Sequence, residues 1–135
     1  MATKSQSLIT AKINGADTGV WDTRAGGDTT ASPSQYRPGG GGVVVDAARA
    51  TTGDVTITRR YDLDRDHDKA AEWRPLVGVA GITITEQPLG TDGLPWGKPT
   101  TWTGRLTGVN TDDTDSNSDD PRTITVTMMV TSVTN

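Results

Sequence analysis

The chain has 135 residues, of which 32% are hydrophobic, with no Phe, four Trp and two Tyr, and it carries a formal charge of −4 at pH 7. That length and supply allow one domain with one thin core, which would gain from burying further surface against other subunits. The absence of cysteine excludes disulfide scaffolds and thiolate metal sites, and the acidic balance leaves no obvious basic patch for gripping nucleic acid. The first ten residues lack the apolar centre of a signal peptide, and no apolar run approaches the ~20 residues of a membrane span. The expectation is a soluble protein made in a cytoplasm, with no membrane partner.

Threonine is the commonest residue, at 24, and glycine follows at 16. A branched Cβ suits a pleated strand and a hydroxyl tolerates water, so this composition argues for sheet and turns. Residues 8–13 form a short alternating run, Asn14-Gly15 is a hairpin turn, and 17–21 supply the return strand. Periodicity then stops over 22–42, a stretch of Gly, Ser, Thr, Pro and Asp that reads as one long loop ending in Pro38 and four glycines. Val43, Val44 and Val45 read as a short buried strand. Residues 54–60 alternate, with Val55 and Ile57 on one face and Thr56 and Thr58 on the other.

The one helix is expected over 62–77, capped by Asp64 or Asp66, with Ala70, Ala71, Trp73, Leu76 and Val77 as its apolar stripe and Gly78 closing it. Strands follow at 80–87 around Ile82 and Ile84, and at 101–109 with Trp102 and Leu106 facing opposite to Thr103, Arg105 and Thr107. Between them, 88–99 form a hairpin arm with Asp92-Gly93 at its tip. After the acidic stretch 110–121, residues 122–133 alternate, with Ile124, Val126, Met128 and Val130 inward and Thr123, Thr125, Thr127 and Thr131 outward. The fold class is mainly β: a single domain over 1–135, built as a β-sandwich or curled barrel of about six to eight strands with one flanking α-helix.

No catalytic constellation is visible. Asp62, Asp64, Asp66 and Asp68 space their carboxylates as a calcium loop does, but His67 and Trp73 stand where such a loop needs Gly and a final acid. Asp113, Asp115, Asn117 and Asp119 repeat the pattern and fail in the same way, with Ser118 and Ile124 at those places. His67 is the only histidine, no serine lies in a nucleophile elbow, and Gly39 to Gly42 lack the Lys-Ser/Thr of a phosphate loop. No enzyme activity, cofactor or metal is expected. Trp21, Trp73, Trp96 and Trp102 could form a sugar-binding platform, but Trp73 and Trp102 fall in core phase and Trp96 alone sits in an exposed arm.

Four segments in order resemble the tail tube subunits of long-tailed bacteriophages: Ala11-Lys12-Ile13-Asn14-Gly15 running into Gly19-Val20-Trp21-Asp22; Gln35-Tyr36-Arg37-Pro38-Gly39-Gly40; Asp54 through Arg59-Arg60-Tyr61-Asp62 leading into the helix with Trp73; and the hairpin from Gln87-Pro88-Leu89 to Gly97-Lys98-Pro99 before Gly104-Arg105-Leu106. The strand, basic pair, Tyr-Asp and short helix are also similar to tube proteins of contractile injection machines. The resemblance implies a β-sandwich with a flanking helix, hexameric rings of the chain with itself, and stacking into a hollow tube through which DNA passes without specific binding. It also implies other phage tail proteins as partners and a place in the virion's tail. The long loop of that family reaches the neighbouring ring, which makes Tyr36, Arg37 and Pro38 candidate interface residues, together with the basic pair Arg59 and Arg60. A specialised ring at the tail tip and a monomeric carbohydrate-binding module are the alternatives.

Overall fold

The computed structural model describes residues 7–31, 33, 35–36, 39–42, 44–45, 50–111 and 121–135. Strands β1 (Ser7–Ile13) and β2 (Ala16–Trp21) form the first hairpin. Its turn puts Asn14 at φ 53° and Gly15 at φ 81°, the left-handed pair that a tight hairpin requires. Then come β3 (Thr23–Gly26), β4 (Thr29–Thr30), β5 (Gln35–Tyr36), β6 (Val44–Val45), β7 (Thr51–Thr52) and β8 (Val55–Arg60). Helix α1 (Leu63–Trp73) runs into a 3-10 turn, Arg74–Leu76, and β9 (Gly81–Pro88), β10 (Thr100–Thr111) and β11 (Thr123–Thr134) complete the chain.

Seven strands make one antiparallel sheet in the order β2-β1-β9-β10-β11-β8-β3, while β4-β7 and β5-β6 are small two-stranded ribbons. The two edge strands, β2 and β3, are consecutive in the chain and separated only by Asp22. A sheet whose opposite edges are joined by one residue must curl back on itself. It stops short of a closed barrel, because β2 forms no ladder with β3 or β8. Asp22 stitches the seam instead: its N–H donates to the Thr58 carbonyl at 3.0 Å, and its carboxylate accepts the Arg60 N–H at 3.0 Å.

Curling gives the sheet one inner and one outer face, and the period-2 sequence follows them. Ile9, Ala11, Ile13, Trp21, Val55, Ile57, Ile82, Ile84, Trp102, Leu106, Ile124, Val126 and Met128 are buried inside, and α1 adds Ala70 and Trp73 over one end. Each large side chain so buried contributes about 1.5–3 kcal/mol relative to exposure. The outer face is largely threonine, with hydroxyls paired across strands at Thr58–Thr125 (3.3 Å) and Thr85–Thr101 (3.5 Å).

The structure departs from the sequence reading in three places. Residues 22–42 are not one loop: Thr23–Gly26 pairs with β8 from Thr23↔Thr58 to Gly26↔Val55. A four-residue edge strand with only Arg24 half-buried has no hydrophobic alternation to betray it. The helix cap is Asp62, which accepts the Asp64 N–H at 3.1 Å, rather than Asp64 or Asp66. The α-helix also ends earlier than expected, at Trp73 before the turn containing Pro75, and Ala71 is exposed; its buried face is Asp66, Ala70 and Trp73, spaced i, i+4, i+7. Val43 lies outside the described residues. Among the described residues, no helix is long and apolar enough to cross a membrane.

Candidate functional site

Strand parity decides the fate of the basic pair at the end of β8. Val55, Ile57 and Arg59 share the inner face, so Arg59 is 2% exposed whereas Arg60 faces out. The Arg59 guanidinium donates to Asp66 at 2.6 Å and to the Thr18 carbonyl, and lies 4.2 Å over the Trp21 ring. Trp21 in turn stands 6.4 Å from Trp73 and donates its indole N–H to the Thr18 hydroxyl at 2.9 Å. Arg59 therefore ties β8, β2 and α1 together across the seam of the curled sheet. The resemblance implied a subunit-interface residue; within the chain, the Arg59 guanidinium is engaged by Asp66 and the Thr18 carbonyl.

Asp66 is fully buried at the centre of this cluster. Besides Arg59 it accepts the Asp62 N–H at 2.9 Å and two bonds from Arg65, at 3.0 and 2.8 Å. Burial alone would raise its pKa. The bonds from Arg65 and the Asp62 amide, with the charge of Arg59, outweigh burial and hold the carboxyl below its ordinary range. Burial lowers the pKa of Arg59, against the pull of Asp66, while the hydrogen bond to Asp66 raises that of Arg65. Arg59 Nε has no hydrogen-bond partner among the described residues.

Beside the cluster, on the outer surface, Arg60, Tyr61, Asp62, Leu63 and Arg65 line an open recess of about 420 Å³. Arg122 stacks 4.6 Å over the Tyr61 ring, and Leu63 is 67% exposed. The Asp-rich run that flanks it is dispersed by the helix: Asp62 caps, Asp66 turns inward, and Asp64 and Asp68 face solvent. Tyr61 Oη lies 3.3 Å from His67 Nδ1 on the exposed side.

The hairpin arm after β9 is held stiff. Leu89 bridges Pro95, Trp96 N–H donates to the Pro88 carbonyl at 2.9 Å, and Gly90 N–H to the Leu94 carbonyl at 2.8 Å. The Gln87 amide donates to the carbonyls of Pro88, Trp96 and Gly97 at 3.1–3.3 Å. On this frame Trp96 is 72% and Leu94 63% exposed. Trp21, Trp73 and Trp102 are all buried, so the four tryptophans form no exposed sugar platform.

The backbone of Tyr36 lies in β5, paired with Val44. Its side chain, with Arg37, Pro38 and the acidic run of Asp113, Asp115, Asn117 and Asp119, lies outside the described residues. Among the described residues, no group of three or more His, Asp or Glu side chains is arranged to hold a metal. The coupling of Arg59 to Asp66 went unread in the sequence although both signals were present: the parity of β8 put Arg59 with Val55 and Ile57, and helical spacing put Asp66 with Ala70 and Trp73.

No protein-family model and no curated protein matches this chain. Solved structures do match its fold. A chain of the anti-feeding prophage baseplate superposes with a TM-score of 0.70 at 19% identity, over 99% of this chain and 94% of the other. A chain from the sheath–tube complex of an extracellular contractile injection system, in its extended state, gives 0.66 at 16% identity, over 99% and 90%. A chain from the tube-terminating cap of the anti-feeding prophage gives 0.66 at 14% identity, over 99% and 89%. The chain shares the fold of components of contractile injection particles along almost its whole length.

Proposed function

We propose that this protein is a structural subunit that assembles into hexameric rings, which stack into the hollow tube of a phage-like tail through which DNA passes. The observation that supports this reading is the two-way coverage of the fold: 99% of this chain matches 90% of a chain in a sheath–tube complex. The threonine-rich outer face, the stiff hairpin with its exposed tryptophan and the cationic recess fit a subunit that keeps one surface inert and others for contact. Arg60, on the rim of the recess, remains an interface residue in this reading, and so do Tyr36, Arg37 and Pro38.

The test is the size of the purified chain as its concentration is raised, read by light scattering and negative-stain imaging. Six-membered rings and tubes are expected. A monomer at every concentration and salt overturns the reading. The likeness to baseplate and cap chains favours one second reading, a specialised ring at the end of a tube. Six-membered rings that never stack would be its signature.

A further inference from the structure

We infer that the Leu94–Trp96 tip of one subunit docks into the Tyr61–Leu63 recess of a second copy of the same chain. The inference deepens the assembly reading by naming one of its contacts.

Three observations carry it. The first is placement. The arm leaves the sheet between Pro88 and Thr100, at the start of β10, whereas Arg60 pairs with Thr123 and Thr111 with Ile124 at the end of β10. The twelve residues of β10, roughly 35 Å of strand at the usual rise, run from the end that carries the arm to the end beside the recess. A subunit cannot satisfy its own recess with its own tip, so the pairing is between copies, and in a stacked assembly it runs head-to-tail.

The second is chemistry. An indole is the best aromatic partner for a guanidinium, and the chain uses that pairing repeatedly: Arg59 over Trp21 at 4.2 Å and Arg24 over Trp102 at 4.6 Å. Trp73 packs on Trp21, which leaves Trp96 as the tryptophan with its ring exposed. The open recess offers the guanidinium of Arg60, the partly exposed Arg65 and the exposed Leu63, beside Tyr61, whose ring already carries Arg122. The charges would also complement: docked, exposed Asp92 at the tip would meet Arg60 and Arg65, and Lys98 would meet Asp62.

The third is pre-organisation. The fork of bonds from Gln87 and the Leu89–Pro95 bridge hold the tip in one shape, so little ordering is lost when it docks.

Because the chain has no cysteine, introduced thiols report contacts cleanly. Thr91→Cys at the tip and Asp64→Cys beside the recess are made in separate preparations, mixed under assembly conditions and oxidised. A disulfide-linked pair should form in the mixture and be lost when Trp96→Ala is added to the Thr91→Cys chain. Trp96→Ala alone should raise the concentration at which assembly begins by roughly tenfold or more, with the monomer's circular dichroism and melting temperature unchanged. Assembly at an unchanged onset in Trp96→Ala overturns the docking while leaving the tube reading intact. So does lost assembly without the cross-link, which would seat Trp96 on some other surface. A wild-type chain that neither assembles nor cross-links overturns both.

Discussion

Replacing Asp66 by Asn removes one charge from the cluster that closes the curled sheet and leaves almost every atom in place. Arg59, 2% exposed and already carrying an unpartnered Nε, would then be a buried cation without its counter-charge. The new amide would point donors at the donors of Arg59 and Arg65. Removing one partner of a buried pair costs about 3–5 kcal/mol. At about 3 °C per kcal/mol for a domain of this size, the melting temperature should fall by roughly 9–15 °C. Arg59→Met should cost less, about 1–2 kcal/mol, because Asp66 keeps two bonds from Arg65 and the Asp62 amide, while the Thr18 carbonyl loses its donor and Trp21 its stacked cation. The double variant Arg59→Met/Asp66→Leu should recover much of the loss of Asp66→Asn, since apolar replacements of both partners remove the stranded charge. Urea unfolding followed by tryptophan fluorescence measures all three, with Trp21 and Trp73 inside the cluster as reporters. Equal losses in the two single variants, or a loss under about 1 kcal/mol for Asp66→Asn, would refute the claim that Asp66 holds the cluster together.

Three further outcomes are expected. The Asp66 carboxyl titrates lower in the folded than in the unfolded chain, so its stabilisation is present above the unfolded value near ~4 and is lost as pH falls through the folded one; urea midpoints taken from pH 6 to pH 2.5 should fall more steeply in the wild type than in Asp66→Asn. Gly104→Ala should destabilise by about 2 kcal/mol or more, because the added Cβ would overlap the Met129 carbonyl oxygen and stand 2.8 Å from its carbon, and backbone cannot move aside; a melting temperature within 2–3 °C of wild type would contradict this. Duplex DNA should show no measurable binding at physiological salt, as the charge of −4 and the threonine face supply few phosphate contacts; fluorescence anisotropy that reports micromolar, steeply salt-dependent binding would refute it.

The strands that alternate strongly were legible in the sequence, because each has one face against the core and one against water. Residues Val55 to Arg60 and Thr123 to Met128 show this plainly. So was Trp96, placed in an arm bounded by Gly and Pro with no periodic face to bury it. Strand β3 was not legible, because an edge strand of Thr23, Arg24, Ala25 and Gly26 buries too little to carry a pattern. Nor was the role of the basic pair. Arginine and aspartate read as surface residues by type, and only the parity of β8 against the spacing of α1 brings Arg59 and Asp66 together indoors. The recess depends on how β8, α1 and the start of β11 meet, which no local pattern encodes.

The low apolar content also acquires a different meaning. A shortage of hydrophobic residues first suggested that the chain needs neighbours to complete its core. The structure supplies a simpler cause: a single curled sheet has only one face to fill, and its other face is threonine. Core completeness therefore says nothing about assembly. What bears on the proposed assembly is that, among exposed apolar side chains that also include Val20, Val79 and Met129, Leu94 and Trp96 lie at one end of the long strands and Leu63 at the other. In the proposed assembly, stability and association rest on separate residues. Asp66→Asn should lower the stability of the subunit while leaving the Leu94–Trp96 tip unaltered, and Trp96→Ala should weaken the proposed contacts without touching the fold. If losses of stability and of assembly cannot be separated in this pair of variants, the two sets of residues are coupled through the helix, and the division drawn between them is wrong.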